Sequence, residues 1–179
     1  DISNIFSTLK EQNIKINALI NSASSFWFDN FFTYDANKWQ ENFNTNLKAP
    51  YLLSLAFVEH VKSYASYGNI INIVDCDIGN IDSDFLSYSL AKLGLKHLTK
   101  VMALELAPLV RVNGVAPGLT LKPDTMNKEK FNTMFSKTPL QKQVNPIDIA
   151  AAIWFILNTQ SLCGEIIKVD CGKSLNSHT

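Results

Sequence analysis

The feature that most limits the fold is the order of apolar segments along the chain. Short runs rich in β-branched residues alternate with longer helix-like stretches, a pattern typical of βα units around a parallel sheet. The four predicted strands are residues 16–20, 70–74, 111–116 and 165–169. Because parallel strands are joined by right-handed crossovers, the segments between them are expected to cover the sheet. The sequence therefore predicts one α/β domain over residues 1–179.

Three helix-like stretches separate these strands. They are residues 35–64, 85–106 and 146–157. The stretch 85–106 is apolar on most sides, so we expect it to be buried on two faces. The segment 121–142 is polar and has only a weak helical pattern, at 126–137, which predicts a mobile loop that closes over a site.

Charge and hydropathy exclude several classes of protein. The 16 basic and 16 acidic side chains give no net charge at pH 7, so there is no basic surface to hold nucleic acid or anionic lipid. The longest apolar run, residues 149–157, is far shorter than the ~20 residues of a transmembrane helix. The chain opens without the basic and apolar regions of a signal peptide, so none is expected.

The cysteines and histidines predict neither disulfides nor a metal site. Three cysteines are an odd number in a chain long enough to bury its own core, which argues against a disulfide framework. Cys163 and Cys171 lack the spacing of zinc ligands, and so do the three histidines. We therefore expect a metal-free protein of the reducing cytoplasm.

A tyrosine and a lysine four residues apart lie near the start of the longest predicted helix. Tyr88 and Lys92 would share one helix face. A cation beside a phenol lowers the phenol pKa from about 10 toward working pH and makes it a usable proton donor. Tyr34 and Lys38 have the same spacing but follow no predicted strand, so we interpret that pair as coincidental. The first pair follows strand 70–74, near where parallel strands end.

Several further motifs occur in the same order as in one known family. Asn46 lies upstream of strand 70–74, and Asp75 follows that strand directly. The order of Asn, strand end, Tyr and Lys resembles the short-chain dehydrogenase/reductase family over nearly the whole chain. The other matching motifs are Asn21-Ser22-Ala23-Ser24, Pro117-Gly118, Cys163-Gly164 and Asp170-Cys171-Gly172.

Two departures from the common family pattern narrow the resemblance. Asp75 stands where most members have Ser, and Ser24-Ser25-Phe26 stands where most have Gly. Both features resemble pteridine reductases, as do residues 104–108 and 111–120. The resemblance implies a Rossmann-like doubly wound parallel sheet and NADPH-dependent reduction of dihydropterin or biopterin, with dihydrofolate as a further substrate. It also implies a homo-oligomer, either a dimer or a homotetramer.

The resemblance assigns catalytic roles to four residues. Tyr88 would donate a proton, and Lys92 would lower the pKa of Tyr88 and hold the nicotinamide ribose. Asn46 would order a water relay, and Asp75 would act with Tyr88. This division suits a C=N bond, because hydride reaches carbon while nitrogen takes a proton from a positioned acid. A carboxylate beside a phenol can also hydrogen-bond the amino-pyrimidinone edge of a pterin.

The resemblance also assigns binding residues. Ser24 would contact both the cofactor and the pterin, and Phe26 would stack on the pterin ring opposite the nicotinamide. Gly118 and Thr120 would line the nicotinamide side. The implied NADPH-binding set is Asn21, Ala23, Ser24, Tyr88, Lys92, Pro117, Gly118 and Thr120.

One part of the family pattern has no counterpart in this sequence. Members begin with a strand and a Gly-rich turn that binds the cofactor diphosphate at a helix N-terminus. At ~30 residues per βα unit, about 60 residues would be absent, so we expect an N-terminally truncated fold with strand 16–20 exposed at its edge. The chain is then a fragment of a longer enzyme, the partner of a separate N-terminal segment, or a degraded gene product.

Simpler interpretations of the same residues stay open. The Tyr88 and Lys92 pair could be an ordinary helical pair, Asp75 a turn residue, and Asn46 a polar helix residue. Phe26 could belong to an aromatic core or interface. Two rival functions also remain. The chain could belong to a reductase of a carbonyl substrate such as a 3-oxoacyl thioester, or it could be a non-catalytic domain that acts only in protein association.

Overall fold

The computed structural model describes residues 2–76, 84–123 and 126–176. The helices are α1 (Ile2–Glu11), α2 (Ala36–Phe43), α3 (Ala49–Lys62), α4 (Leu86–Leu106), α5 (Lys128–Ser136) and α6 (Pro146–Asn158). The strands are β1 (Ala18–Asn21), β2 (Gly68–Ile73), β3 (Val110–Pro117) and β4 (Ile166–Val169). A π-helical turn, Asn44–Lys48, joins α2 to α3, and a short 3₁₀ helix, Lys173–Leu175, follows β4.

The four strands form one parallel sheet in the order β1-β2-β3-β4. Each strand lies within a few residues of its predicted position, which confirms the Rossmann-like α/β fold. Because the strands are parallel, their carboxyl ends lie along one edge of the sheet. Asn21, Asp75, Gly118 and Asp170 are each at or just beyond one of these ends.

The sheet is covered on both faces, as its apolar central strands require. Ile70 and Val112 pack on one face against Phe57 of α3 and against α4. Ile71 and Val115 point to the other face, where they pack under α6. Successive residues of β2 and β3 therefore enter two separate cores, which explains the short continuous apolar runs in the sequence.

Side-chain caps fix where two of the helices begin. The Asp35 carboxylate accepts hydrogen bonds from the backbone N–H of Asn37 and Lys38 at the start of α2. Asn145 caps α6 in the same way, and Pro146 is at the first helical position, where its missing N–H costs nothing. Helix α4 differs, because the residue before it, Phe85, makes no capping side-chain hydrogen bond.

Two expectations about α4 and the segment 121–142 need correction. Within the single chain α4 is buried on one face only, and Leu90, Leu93 and Leu104 on its other sides are exposed. The segment 121–142 contains a capped helix, α5, and is anchored by the buried side chain of Phe131. It is therefore more regular than a mobile loop, and its closure over a site stays a prediction.

Across the described ranges, no helix is both long and apolar enough to cross a membrane.

Candidate active site

The predicted proton donor lies where β2 ends and α4 begins. Tyr88 is the third residue of α4, and its hydroxyl donates a hydrogen bond to Oδ2 of Asp75, at 2.7 Å. Asp75 is two residues beyond the end of β2. The strand end and the first turn of the helix thus bring together two groups that are 13 residues apart in the sequence.

Lys92 is buried one turn further along α4. Lys92 is only 3% exposed, and its Nζ lies 5.8 Å from the centroid of the Tyr88 ring. The ammonium donates its hydrogen bond to the carbonyl oxygen of Ile73, at 2.9 Å. Burial lowers the pKa of Lys92 from 10.5 to about 8, and the charge of Asp75 opposes part of that change. The site therefore combines a phenol that is hydrogen-bonded to a carboxylate with a buried ammonium that is affected by the charge of the same carboxylate.

Phe26 places an aromatic ring beside the phenol. The Phe26 and Tyr88 rings meet edge to face with centroids 4.6 Å apart. Phe85 stacks on Phe26 at 4.2 Å, and Phe26 is still 43% exposed. The loop that precedes α2 thus brings an accessible aromatic surface to the predicted proton donor, as its assignment to substrate binding requires.

Asn46 lies in the π-helical turn and is fully buried. Its Oδ1 accepts hydrogen bonds from the Ser24 hydroxyl, at 2.8 Å, and from the backbone N–H of Ser25. Its Nδ2 donates to the carbonyl oxygens of Ser25 and Asn42. All side-chain hydrogen-bonding positions of Asn46 are thus used within the protein, and its role in a water relay stays a prediction.

The end of β1 is tied to α4 by a chain of buried amides. Nδ2 of Asn21 donates to Oδ1 of Asn72, at 2.8 Å, and Nδ2 of Asn72 donates to the hydroxyl of Thr99. Oδ1 of Asn21 is buried without a hydrogen-bond partner. Ala23 and Ser24, which lie two and three residues further along, are exposed, and their contact with a cofactor stays a prediction.

The remaining predicted cofactor residues, Pro117, Gly118 and Thr120, lie at the end of β3 or just beyond it. The backbone N–H of Cys76 donates to the carbonyl oxygen of Pro117, at 3.2 Å, and this hydrogen bond joins the end of β3 to the segment after β2 that carries Asp75. A Cβ atom on Gly118 would lie 2.7 Å from Cα of Asp170, so only glycine fits between the ends of β3 and β4. The Thr120 hydroxyl donates to the carbonyl oxygen of Gly118.

The Asp170 carboxylate orders the turn after β4. Burial tends to raise the pKa of Asp170, but hydrogen bonds from Ser174 and Gly172, together with the charge of Lys168, outweigh burial and lower it. Asp170 is therefore a structural carboxylate on the same edge as the predicted site.

The second Tyr and Lys pair lies at the start of α2, and its interpretation as coincidental stays a prediction. Tyr34 is largely exposed and packs beside Trp39. Lys38 is paired with the carboxylate of Asp35 and lies over the ring of Trp27. In the part of the chain that the structure describes, no three His, Cys, Asp or Glu side chains are grouped as metal ligands.

Sequence reasoning did not identify three buried polar residues that surround the site. The loop between β1 and α2, residues 22–35, is called the Phe26 loop. It is linked to α2 and α4 by the hydrogen bonds of Asp29, Asn42 and Ser87. Asp29 and Asn42 lie 58 and 45 residues from Ser87 along the chain. No local pattern predicts such pairs, because they depend on how the loop folds over α4.

The sequence is similar to a known protein family and to individual enzymes of known name. A family described as enoyl-(acyl carrier protein) reductase matches residues 1–174. Pteridine reductase 1 of Leishmania tarentolae is 32% identical over 90% of this chain and 64% of its own length. A 7alpha-hydroxysteroid dehydrogenase of Paraclostridium sordellii is 30% identical over 80% of this chain and 56% of its own length.

Solved structures match the whole described fold. FolM alternative dihydrofolate reductase 1 from Brucella canis, a complex with NADP, has a TM-score of 0.93 and 29% identity. That match covers 100% of this chain and 71% of the other. This chain therefore spans between 56% and 71% of the length of these three proteins.

Proposed function

Since the chain belongs to the short-chain dehydrogenase/reductase family, we propose that it is the catalytic portion of an NADPH-dependent reductase of pterins. The observation that carries the proposal is the hydrogen bond of 2.7 Å between Tyr88 and Asp75, with the Phe26 ring 4.6 Å from the Tyr88 ring. Asp75 and the segment Ser24-Ser25-Phe26 are the two departures from the common family pattern by which the sequence resembles pteridine reductases. The names of relatives that reduce pteridines or dihydrofolate support the same substrate class.

The site residues divide the chemistry of a C=N reduction between them. The Tyr88 hydroxyl is the proton donor to the substrate nitrogen. The Asp75 carboxylate accepts the phenol hydrogen bond, and a carboxylate is also the kind of acceptor that the N–H groups of an amino-pyrimidinone edge require. The Lys92 ammonium, held by the carbonyl oxygen of Ile73, stabilises negative charge as the phenol gives up its proton. Phe26 offers its ring as the stacking surface.

The residues present fit the nicotinamide half of NADPH. Ala23 and Ser24 are exposed at the end of β1, Lys92 supplies a positive charge, and the Thr120 hydroxyl is held by the carbonyl oxygen of Gly118 beyond the end of β3. When bound, NADPH supplies the hydride. Since the sequence has no strand followed by a Gly-rich turn and a helix, the proposal includes a further N-terminal segment that binds the diphosphate, on this chain or on a separate one.

The sheet edge is consistent with such a segment. Among the described strands, β1 pairs with β2 on one side only, and Ile20 of β1 is 40% exposed. An added parallel strand would satisfy the open backbone groups of β1 and cover this side chain. The three cysteines, all within the described residues, form no disulfide with one another, which suits the cytoplasmic setting included in the proposal.

The proposal also includes a homo-oligomer formed through α3 and α4. A groove of about 440 Å³ runs between these helices and is lined by apolar side chains such as Leu47 and Val101. Tyr51 and Leu55 of α3 and Leu93 of α4 are exposed beside it. Burial of such a face against a second copy would supply the second buried face expected for α4.

Introducing a charge on this face is expected to dissociate the oligomer. The variant Leu93→Glu places an unpaired carboxylate where apolar side chains would meet, so we expect a monomer in sedimentation equilibrium at concentrations where the wild type is oligomeric. Leu140→Glu, at an exposed position distant in sequence, is the control and should leave the mass unchanged. A monomeric wild type would contradict this part of the proposal.

Replacing Asp75 by Ser is expected to lower kcat/KM for a dihydropterin by about 100-fold. The variant removes a charged acceptor, and hydrogen bonds to charged groups contribute about 1.5–3 kcal/mol each. Turnover of 7,8-dihydrobiopterin and of a 3-oxoacyl thioester would be measured for both proteins, with the exposed Asp148→Asn as the matched control. A wild type that prefers the thioester would favour the carbonyl alternative, which the relatedness to a hydroxysteroid dehydrogenase keeps open.

A further inference from the structure

Three buried polar residues form a hydrogen-bonded group, and one of them directly precedes the predicted proton donor. They are Asp29 of the Phe26 loop, Asn42 of α2 and Ser87 of α4, and we call them the Asp29–Asn42–Ser87 clamp. Each is at most 1% exposed. Buried polar groups are costly unless their hydrogen bonds are made, so the geometry of the clamp is demanding.

Asn42 joins the loop to α4 through its side-chain amide. Its Oδ1 accepts from the Ser25 hydroxyl, at 3.1 Å, and from the backbone N–H of Trp27, at 3.2 Å. Its Nδ2 donates to the carbonyl oxygen of Trp27 and to the hydroxyl of Ser87, at 2.7 Å. One side chain thus holds the residues on both sides of Phe26 and the residue before Tyr88.

Asp29 replaces the missing cap of α4. Its two carboxylate oxygens accept the backbone N–H of Ser87 at 3.1 and 3.2 Å. Its backbone is paired with the same turn, because its N–H donates to the carbonyl oxygen of Asp84 and its carbonyl accepts the N–H of Leu86. A negative charge at the N-terminus of a helix is stabilised by the helix dipole. The loop is therefore fixed to the first turn of α4 at both side chain and backbone.

We propose that the Asp29–Asn42–Ser87 clamp is a positioning device that sets the distance and angle between the Tyr88 hydroxyl and the face of the Phe26 ring. The inference rests on the proposed function for its catalytic consequence. Phe26 lies in the loop before α2, and Tyr88 lies in α4. The clamp residues join this loop to α4 by hydrogen bonds at Trp27, next to Phe26, and at Ser87, next to Tyr88. A displacement of about 1 Å between a bound substrate and its proton donor can cost about 100-fold in rate.

The variant Ser87→Ala tests the clamp without removing the cap. It deletes the hydroxyl that accepts from Asn42 but keeps the backbone N–H that donates to Asp29. The matched control is Ser54→Ala, which deletes an equally buried hydroxyl whose hydrogen bond stays within α3. Ser87→Ala also leaves one N–H of Asn42 without its acceptor, so it should lose more stability than Ser54→Ala, and kcat is compared for the folded fraction of each variant.

For Ser87→Ala we expect kcat for 7,8-dihydrobiopterin to fall roughly 10-fold with KM for NADPH unchanged, while Ser54→Ala keeps the wild-type kcat. The second readout is the ¹³Cζ resonance of Tyr88 in tyrosine-labelled protein, assigned with Tyr88→Phe. We expect it to shift in Ser87→Ala and not in Ser54→Ala. An unmoved Tyr88 resonance in Ser87→Ala would overturn the inference. A wild type that reduces no pterin would defeat the proposed function alone, because the resonance still decides whether the clamp positions Tyr88.

Discussion

The variant Tyr88→Phe is expected to reduce pterins about 1000-fold more slowly than the wild type while it folds normally. The substitution deletes a single hydroxyl, and a positioned general acid typically contributes between about 100- and 10,000-fold. The ring itself keeps its edge-to-face contact with Phe26, so the loss concerns proton transfer and not packing. NADPH oxidation in the presence of 7,8-dihydrobiopterin and of the N-terminal segment that binds the diphosphate measures the rate, as it does for the other variants.

The second Tyr and Lys pair of the chain provides the control for this experiment. Tyr34→Phe makes the same chemical change at an exposed position four residues before a lysine, so its rate should equal that of the wild type. If Tyr88→Phe kept the wild-type rate, the hydroxyl would have no part in the chemistry. The non-catalytic alternative would then be favoured.

The variant Lys92→Met is expected to be more stable than the wild type at pH 7 and inactive. The folded-state pKa of about 8 lies below the ordinary 10.5. Below pH 8 both the folded and the unfolded state are protonated, so the folded protein bears the full cost of burying the ammonium. The cost disappears as the pH rises from 8 to 10.5, since Lys92 then loses its proton in the folded state first.

The difference between these two pKa values corresponds to roughly 3 kcal/mol in the free energy of unfolding. The variant Lys92→Met also loses the hydrogen bond to Ile73 O, which offsets about 1 kcal/mol of this gain. Urea unfolding at pH 7 and pH 9.5 would show the advantage of Lys92→Met shrink at the higher pH. Lys38→Met is the control, because its ammonium is partly exposed. An equal difference at both pH values would mean that folding does not lower the pKa of Lys92.

Much of this arrangement is predictable from local sequence patterns. The strands are recognisable because β2 and β3 are buried on both faces, which requires continuous apolar runs. The face shared by Tyr88 and Lys92 follows from helical periodicity. The approach of Asp75 to Tyr88 also follows, because the end of a parallel strand and the start of the next helix meet at one edge of the sheet.

Other features depend on contacts that no local pattern encodes. The ammonium of Lys92 bonds a backbone carbonyl, and a sequence does not show which carbonyl will be within reach. The capping of α4 by Asp29 joins residues 58 positions apart. The exposed second face of α4 was expected to be buried, because apolar composition alone does not show whether the covering surface belongs to the same chain.

The most direct test of the account is a titration of NADPH and of biopterin into the purified chain, alone and with an added N-terminal Gly-rich βα segment, followed by thermal unfolding and by NADPH oxidation. A ligand that binds only the folded state raises the melting temperature by mass action. The account predicts stabilisation by both ligands, and NADPH oxidation that requires the pterin, when the segment is present. If neither ligand changed the melting temperature with or without the segment, the assignment as a pterin reductase would be contradicted.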